Sequence, residues 1–188
     1  SNLAEGQNIL TAKARSIAGV SGGDSVSLSI VVDTTAQSSP IAPDLVAADD
    51  TGSSSSDNST SITQPNFSIA LSGLGVVAND QVQLLNAAEQ VIGTATVSSI
   101  DVANGYVLVT PQNSFADGSQ VLKARIVDRA GNTGALSPGL TISISTSIPN
   151  ATTPVLQTAS DSGRSSSDRI TQRTAPTFTG VGTSGDTV

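Results

Sequence analysis

The chain has no cysteine, histidine, tryptophan or methionine, and its aromatics are one tyrosine and three phenylalanines. Without cysteine no disulfide can staple the fold, which is the usual device of small secreted domains. Without histidine and cysteine the common nucleophile–base pairs and the zinc and copper ligand sets are excluded. With aromatics at 2% of residues, a core must be thin and built from Val, Ile, Leu and Ala. Stability is therefore expected from burial alone, from neighbouring repeats, or from a metal that takes oxygen ligands.

Helical patterning is also scarce, since no stretch keeps apolar residues at three-to-four spacing over three turns. No apolar run is long enough to span a bilayer and no secretory leader is visible, so direct membrane insertion is not expected. Lys and Arg number 8 against 15 acidic residues, giving a net charge of −7. That sign disfavours nucleic acid and anionic lipid as partners. Only Glu5 and Glu89 among the acids are glutamates. The rest are aspartates, which favour turns and hard-cation sites over helices.

What the chain does have is a repeat. Asp49-Asp50-Thr51-Gly52-Ser53-Ser54-Ser55-Ser56-Asp57, followed by Pro65-Asn66-Phe67, returns as Ser160-Asp161-Ser162-Gly163-Arg164-Ser165-Ser166-Ser167-Asp168 and Pro176-Thr177-Phe178. From Pro43/Pro154 to Phe67/Phe178 the offset stays at 111 residues. Leu3-Ala4-Glu5-Gly6 likewise matches Phe115-Ala116-Asp117-Gly118 at 112 residues. Recurrence at one domain length marks a tandem array. Residues 1–34 read as the C-terminal part of one unit, 35–147 as a complete unit, and 148–188 as the N-terminal part of the next.

Within the complete unit, strands are predicted near 44–48, 66–72, 80–86, 91–99, 105–110, 120–128 and 138–145. Asn104-Gly105 signals a tight hairpin, because both residues tolerate positive φ. Seven short antiparallel strands indicate an all-β, immunoglobulin-like sandwich. The predicted core is Phe67, Ile69, Val82, Leu84, Val107, Val109, Leu122, Ala124, Ile126, Leu140, Ile142 and Ile144. In residues 1–34, Leu10, Ala12 and Ala14, then Leu28, Ile30 and Val32, repeat the last two strands as half-buried strands with a solvated outer face. Neither end piece has the middle strands needed to close a sandwich by itself. Loose strands there are candidates for order within a longer chain or for strand addition with a neighbouring molecule. Pro40 and Pro43 stiffen the linker between the first two units.

In the order and spacing of these motifs the chain resembles the bacterial Ig-like tandem repeats of giant surface adhesins. These are the biofilm-associated and RTX-type proteins exported by type I secretion. The matching features are the Asp-Thr-Gly and Asp-Ser-Gly loops with a downstream Asp, Pro-x-Phe, the Ala-Asp/Glu-Gly turn, Asp128-Arg129-Ala130-Gly131-Asn132 and the Asp33-Thr34-Thr35 linker. The resemblance implies an extracellular stalk on the bacterial surface whose repeats touch their neighbours in the same chain. It also implies that a host, ice, surface or glycan ligand is bound elsewhere in the parent protein. In several members Ca²⁺ between successive domains stiffens the stalk.

Calcium takes six to eight oxygens, mostly carboxylates with carbonyls and water. Candidate ligands at the end where the chain leaves the complete unit are Asp49, Asp50, Asp57 and Asp117. At the end where it enters, they are Asp33, Asp128, Asn132 and Asp80. Turn chemistry alone also wants Asp and Ser at such places. Departures are visible: Ser16 and Val20 stand where Asp128 and Asn132 do, Ser145 where Asp33 does, and Ser160 where Asp49 does. Catalysis is not expected, because paired carboxylates for glycoside hydrolysis would here sit in Ser/Gly loops with few aromatics to hold sugar. The main alternative is an Ig-like module that binds a glycan or protein through its end loops. Tyr106 and the three phenylalanines are expected to pack in the core or along strands. A disordered linker fits Ser53–Ser56 but not the matched alternating strands.

Overall fold

Strands form where apolar and polar residues alternate, and turns form where Gly, Asn and Asp interrupt that alternation. The computed structural model describes residues 2–148 and 152–182. These form two compact units, one ending at Thr146 and the other beginning at Ser147.

The first unit opens with a long ladder. Strands β1 (Gly6–Leu10), β2 (Lys13–Arg15), β3 (Ser21–Asp24) and β4 (Leu28–Val32) pair as β1 with β4 and β2 with β3, antiparallel. The expectation of half-buried strands fails for several of these residues: Leu28 is 59% exposed, and Ile9, Val20 and Val31 are exposed too. An apolar strand face is buried only when a second layer lies on it, and no second sheet is paired with or packed on this ladder among the described residues.

The complete repeat follows as β5 (Asp44–Leu45), β6 (Ser59–Thr60), β7 (Phe67–Ala70), β8 (Gln81–Leu85), β9 (Val91–Thr96), helix α1 (Ser99–Asn104), β10 (Tyr106–Val109), β11 (Gly118–Val127) and β12 (Leu140–Ile144). One sheet has the order β10-β7-β5, the other β6-β12-β11-β8-β9. Their inner faces share one core of Leu45, Phe67, Ile69, Leu71, Val76, Val82, Leu84, Val97, Val107, Val109, Leu122, Ala124, Ile126, Ile142 and Ile144. Leu140 is only partly buried, at the rim of that core. Phe67 is fully buried and meets Phe115 edge-on, with centroids 6.5 Å apart and planes at 74°. Tyr106, expected in the core or along a strand, lies on β10 and faces out.

Two elements depart from the sequence expectation. Asn104-Gly105 is not a hairpin turn. β9 and β10 lie in different sheets, so a two-residue turn between neighbours cannot join them. The six-residue helix α1 makes the crossing instead. Its start is a capping box: Ser98 Oγ accepts from the Asp101 amide, and the Asp101 carboxylate accepts from the Ser98 amide. Gly105, at φ 78°, is the left-handed cap, its amide donating to the Asp101 and Val102 carbonyls. The second departure is β6, which pairs parallel with β12 (Ser143↔Ser59, Ile144↔Thr60). The chain starts in one sheet at β5 and reappears in the other at β6, so residues 46–58 are the crossover between sheets.

The second unit repeats this opening as β13 (Val155–Leu156) and β14 (Phe178–Thr179), paired antiparallel. No helix among the described residues is long and apolar enough to cross a membrane.

Candidate functional site

The crossover loop after β5 is built by short-range bonds. The amides of Asp49 and Asp50 both donate to the Val46 carbonyl, and the Gly52 amide donates to Ser59 O at 2.9 Å. Asp57 folds back into the loop. Its carboxylate accepts from Ser53 Oγ at 2.9 Å, the Ser54 amide at 3.0 Å and the Ser59 amide at 3.0 Å. Gly52 makes the room, since a Cβ there would lie 2.6 Å from Asp57 Oδ1 and 2.9 Å from Ser59 Cβ. The Asp57 carboxyl is held below the ordinary Asp value, chiefly by the Ser53 hydroxyl, then by the Ser59 and Ser54 amides, and least by the adjoining Asp50 carboxyl group.

Asp49 and Asp50 point to different partners. Asp49 Oδ2 accepts from the Asn66 backbone and side-chain amides at 2.7 and 2.9 Å, tying the loop to the start of β7. Asp50 is 6% exposed, and its Oδ2 accepts from the Asn58 amide at 3.0 Å. Asp50 Oδ1 is buried with no hydrogen-bond partner. A buried, unpaired carboxylate oxygen is costly, so this atom invites a cation or a donor.

The same arrangement stands in the second unit. The Asp161 amide donates to Gln157 O, Asp161 Oδ2 accepts from the Arg169 amide at 3.0 Å, and Asp161 Oδ1 is again buried and unpartnered. Arg169, like Asn58, has a left-handed backbone (φ 62° and 58°). Ser160, in place of Asp49, still ties the loop down, its Oγ accepting from the Thr177 amide at 2.9 Å. The 111-residue offset alone points to Asp161 as a further member of the site. The loop keeps its shape without the remaining strands of a sandwich, so its conformation is locally encoded.

Asp117 lies at the same end of the repeat, at the turn before β11. Its carboxylate accepts from the Thr146 amide and hydroxyl, the shorter contact being 2.8 Å. Glu5 does the same for Thr34, accepting its hydroxyl at 2.7 Å and its amide at 3.1 Å. A carboxylate thus clamps the last threonine of each unit.

At the opposite end Asp128, Asn132 and Asp33 come together. Asp128 Oδ1 accepts from the Ala130 and Asn132 amides, and Oδ2 from Asn132 Nδ2 at 2.8 Å. These bonds, that from the Asn132 side chain first, hold the Asp128 carboxyl below its ordinary value. Asn132 Nδ2 also donates to the Asp33 carbonyl at 2.9 Å. The Asp33 carboxylate caps its own turn by accepting the Thr35 amide. Asp80 is 1% exposed; Oδ2 accepts from the Val77 amide, while Oδ1 has no hydrogen bond and lies 4.0 Å from Arg129 Nε. In the first repeat Ser16 replaces Asp128 and accepts the Val20 amide at 3.1 Å, so the turn survives without its carboxylate.

Among the described residues no three acidic side chains gather around one point. A cation at Asp50 would take Asp50 Oδ1 with the adjoining Asp57 and complete its shell with backbone oxygens, hydroxyls or water.

Comparison with curated proteins returned no match. Among solved structures, one described as "Biofilm associated protein - BSP domain" is similar at 15% identity with a TM-score of 0.37. That match covers 76% of this chain and 20% of the other, so the chain spans about one fifth of that structure's length. The family model described as "Bacterial Ig-like domain" matches residues 36–146 and again 147–188. With the two-sheet fold and its repeated loop, these matches place the chain in the bacterial Ig-like domain family.

Proposed function

We propose that this chain is an extender segment of the stalk of a large bacterial surface adhesin, stiffened by Ca²⁺ at the crossover loops near its junctions. Ig-like modules of this family are structural and adhesive units, not enzymes. The stalk reading draws support from tandem construction. The pairing Gly6↔Val32 through Leu10↔Leu28 reproduces Gly118↔Ile144 through Leu122↔Leu140 with every partner shifted by 112 residues. Successive units thus present the same ends to one another. An extracellular, cell-surface location follows from that reading, as does export by the type I route.

The observation that carries the calcium reading is the recurrence of a buried, unpartnered carboxylate oxygen at Asp50 and Asp161. A hard cation would satisfy both, and a ligand bound only by the folded loop stabilises it by about 2.7 kcal/mol at a hundredfold excess over Kd. Low calcium inside the cell then leaves the chain loose for export, and millimolar calcium outside firms it.

The test is thermal unfolding of the whole chain in millimolar calcium and in excess chelator, with Asp50→Asn alongside. Calcium is expected to raise Tm by several degrees in the parent and by less in the variant. An unchanged Tm in the parent would leave burial as the only source of stiffness and make the aspartates turn residues.

A further inference from the structure

The linker between the first two units is not a free tether. Residues 33–40 run beside 132–136, and alternate positions of the latter meet the linker in turn. Asn132 Nδ2 donates to the Asp33 carbonyl at 2.9 Å. Gly134 is buried against Gln37, and a Cβ there would stand 2.6 Å from Gln37 O, 3.2 Å from Ile126 O and 3.4 Å from Gln37 C. Ser39 Oγ donates to the Leu136 carbonyl at 2.8 Å. Gly75 faces the same segment from another side, with its missing Cβ 3.2 Å from Gln37 Oε1. Pro40 and Pro43 are buried, and having no N–H they leave no donor stranded there.

We infer that residues 132–136 form a docking slot for the linker, shut by backbone shape at Gly134, and that this joint is stiff without any metal. The atoms that would meet a Cβ at Gly134 are main-chain atoms of Gln37 and Ile126, which cannot swing aside as a flexible side chain can. The corresponding residue of the preceding repeat, 112 positions earlier, is Gly22. A Cβ there would touch only Ala14 O, at 3.6 Å, the counterpart of Ile126 O. The glycine therefore recurs where a linker docks, and in the first repeat the slot stands open. The inference goes beyond the calcium reading, for it gives this junction a clasp that chelation leaves closed.

Limited digestion of the whole chain with subtilisin, with cuts mapped by mass spectrometry, tests it. Cleavage within residues 34–42 is expected to be slow, and equally slow in calcium and in chelator. Gly134→Val is expected to speed that cleavage by about tenfold or more, because proteolysis tracks the population of the opened segment. The β7–β12 strands should stay intact. Ser39→Ala alters only the linker and guards against a Gly134 variant that fails to fold; it should speed linker cleavage by about threefold. Rapid cutting of the parent linker, chelator-induced cutting, or no change in either variant would overturn the clasp. A calcium-independent Tm with a protected linker would defeat only the calcium reading.

Discussion

Three aspartates, Asp57, Asp101 and Asp128, have their carboxyl pKa lowered below 3.8 by hydrogen bonds that favour the ionised form. For Asp101 the cause is the Ser98 hydroxyl, then the Ser98 amide. A depressed folded-state pKa stabilises the native protein above the unfolded value, and that contribution is lost as pH falls through the folded values. Tm should therefore be flat above about pH 5 and fall below about pH 4. Asp128→Asn should lower Tm at neutral pH and make the acid limb shallower, and calorimetry across pH would detect both changes. In the core, Phe67→Ala empties the space beside Phe115 and should cost about 3–5 kcal/mol in denaturant unfolding. That is a large part of the roughly 5–15 kcal/mol that holds such domains. The alternation of residues 67–70 and 82–85 makes these core positions readable in the sequence. The hydrogen bonds of Asp49 are not readable there, because Asn66, 17 residues away, becomes its partner only when the crossover loop folds.

Among the elements, α1 and β6 owe least to hydrophobic periodicity. None of α1's residues is buried, so its caps carry it. Ser98→Ala should cost about 1 kcal/mol, the usual loss for an N-cap. Gly105→Ala should cost about 1–2 kcal/mol, since the residue sits in the left-handed region. Its Cβ would also stand 2.6 Å from Ser72 Oγ, a side chain free to rotate away. Both changes should melt α1 and leave β11 and β12 protected, which amide exchange resolves element by element. The Ser98-x-x-Asp101 box is legible in hindsight. It is easily passed over because six residues cannot show a helical stripe and because Asn-Gly is also a hairpin signal. β6 has no signal at all: Ser59 and Thr60 are polar, and their pairing with β12 is decided by where the sheet crossover ends.

For the whole molecule, the same sequence pattern has two fates. β11 and β12 are covered by the opposite sheet and hold the core, whereas β1 and β4 carry the matching register with Leu28 exposed. Hydrogen exchange of the intact chain should thus be fast across Gly6–Val32 and slow across Gly118–Val127. Protection tracks global unfolding in the covered strands and local opening in the bare ones. Equal protection in the two ladders would mean that the first is covered in solution, by a neighbouring copy or otherwise.

By itself the sequence determined the repeat, the strand positions, the buried face of each strand and the crossover loop that recurs in both units. These depend on local periodicity and short-range turn chemistry, which a linear pattern carries in full. Only the tertiary structure decided which aspartate oxygens are spent on amides and which are left bare, where the chain changes sheets, and that the linker lies in a glycine-floored slot. Those outcomes depend on partners such as Asp33 and Asn132, 99 residues apart, or Gln37 and Gly134. Nothing periodic encodes such pairs; they are fixed when two sheets close on one core and bring distant polar groups into contact.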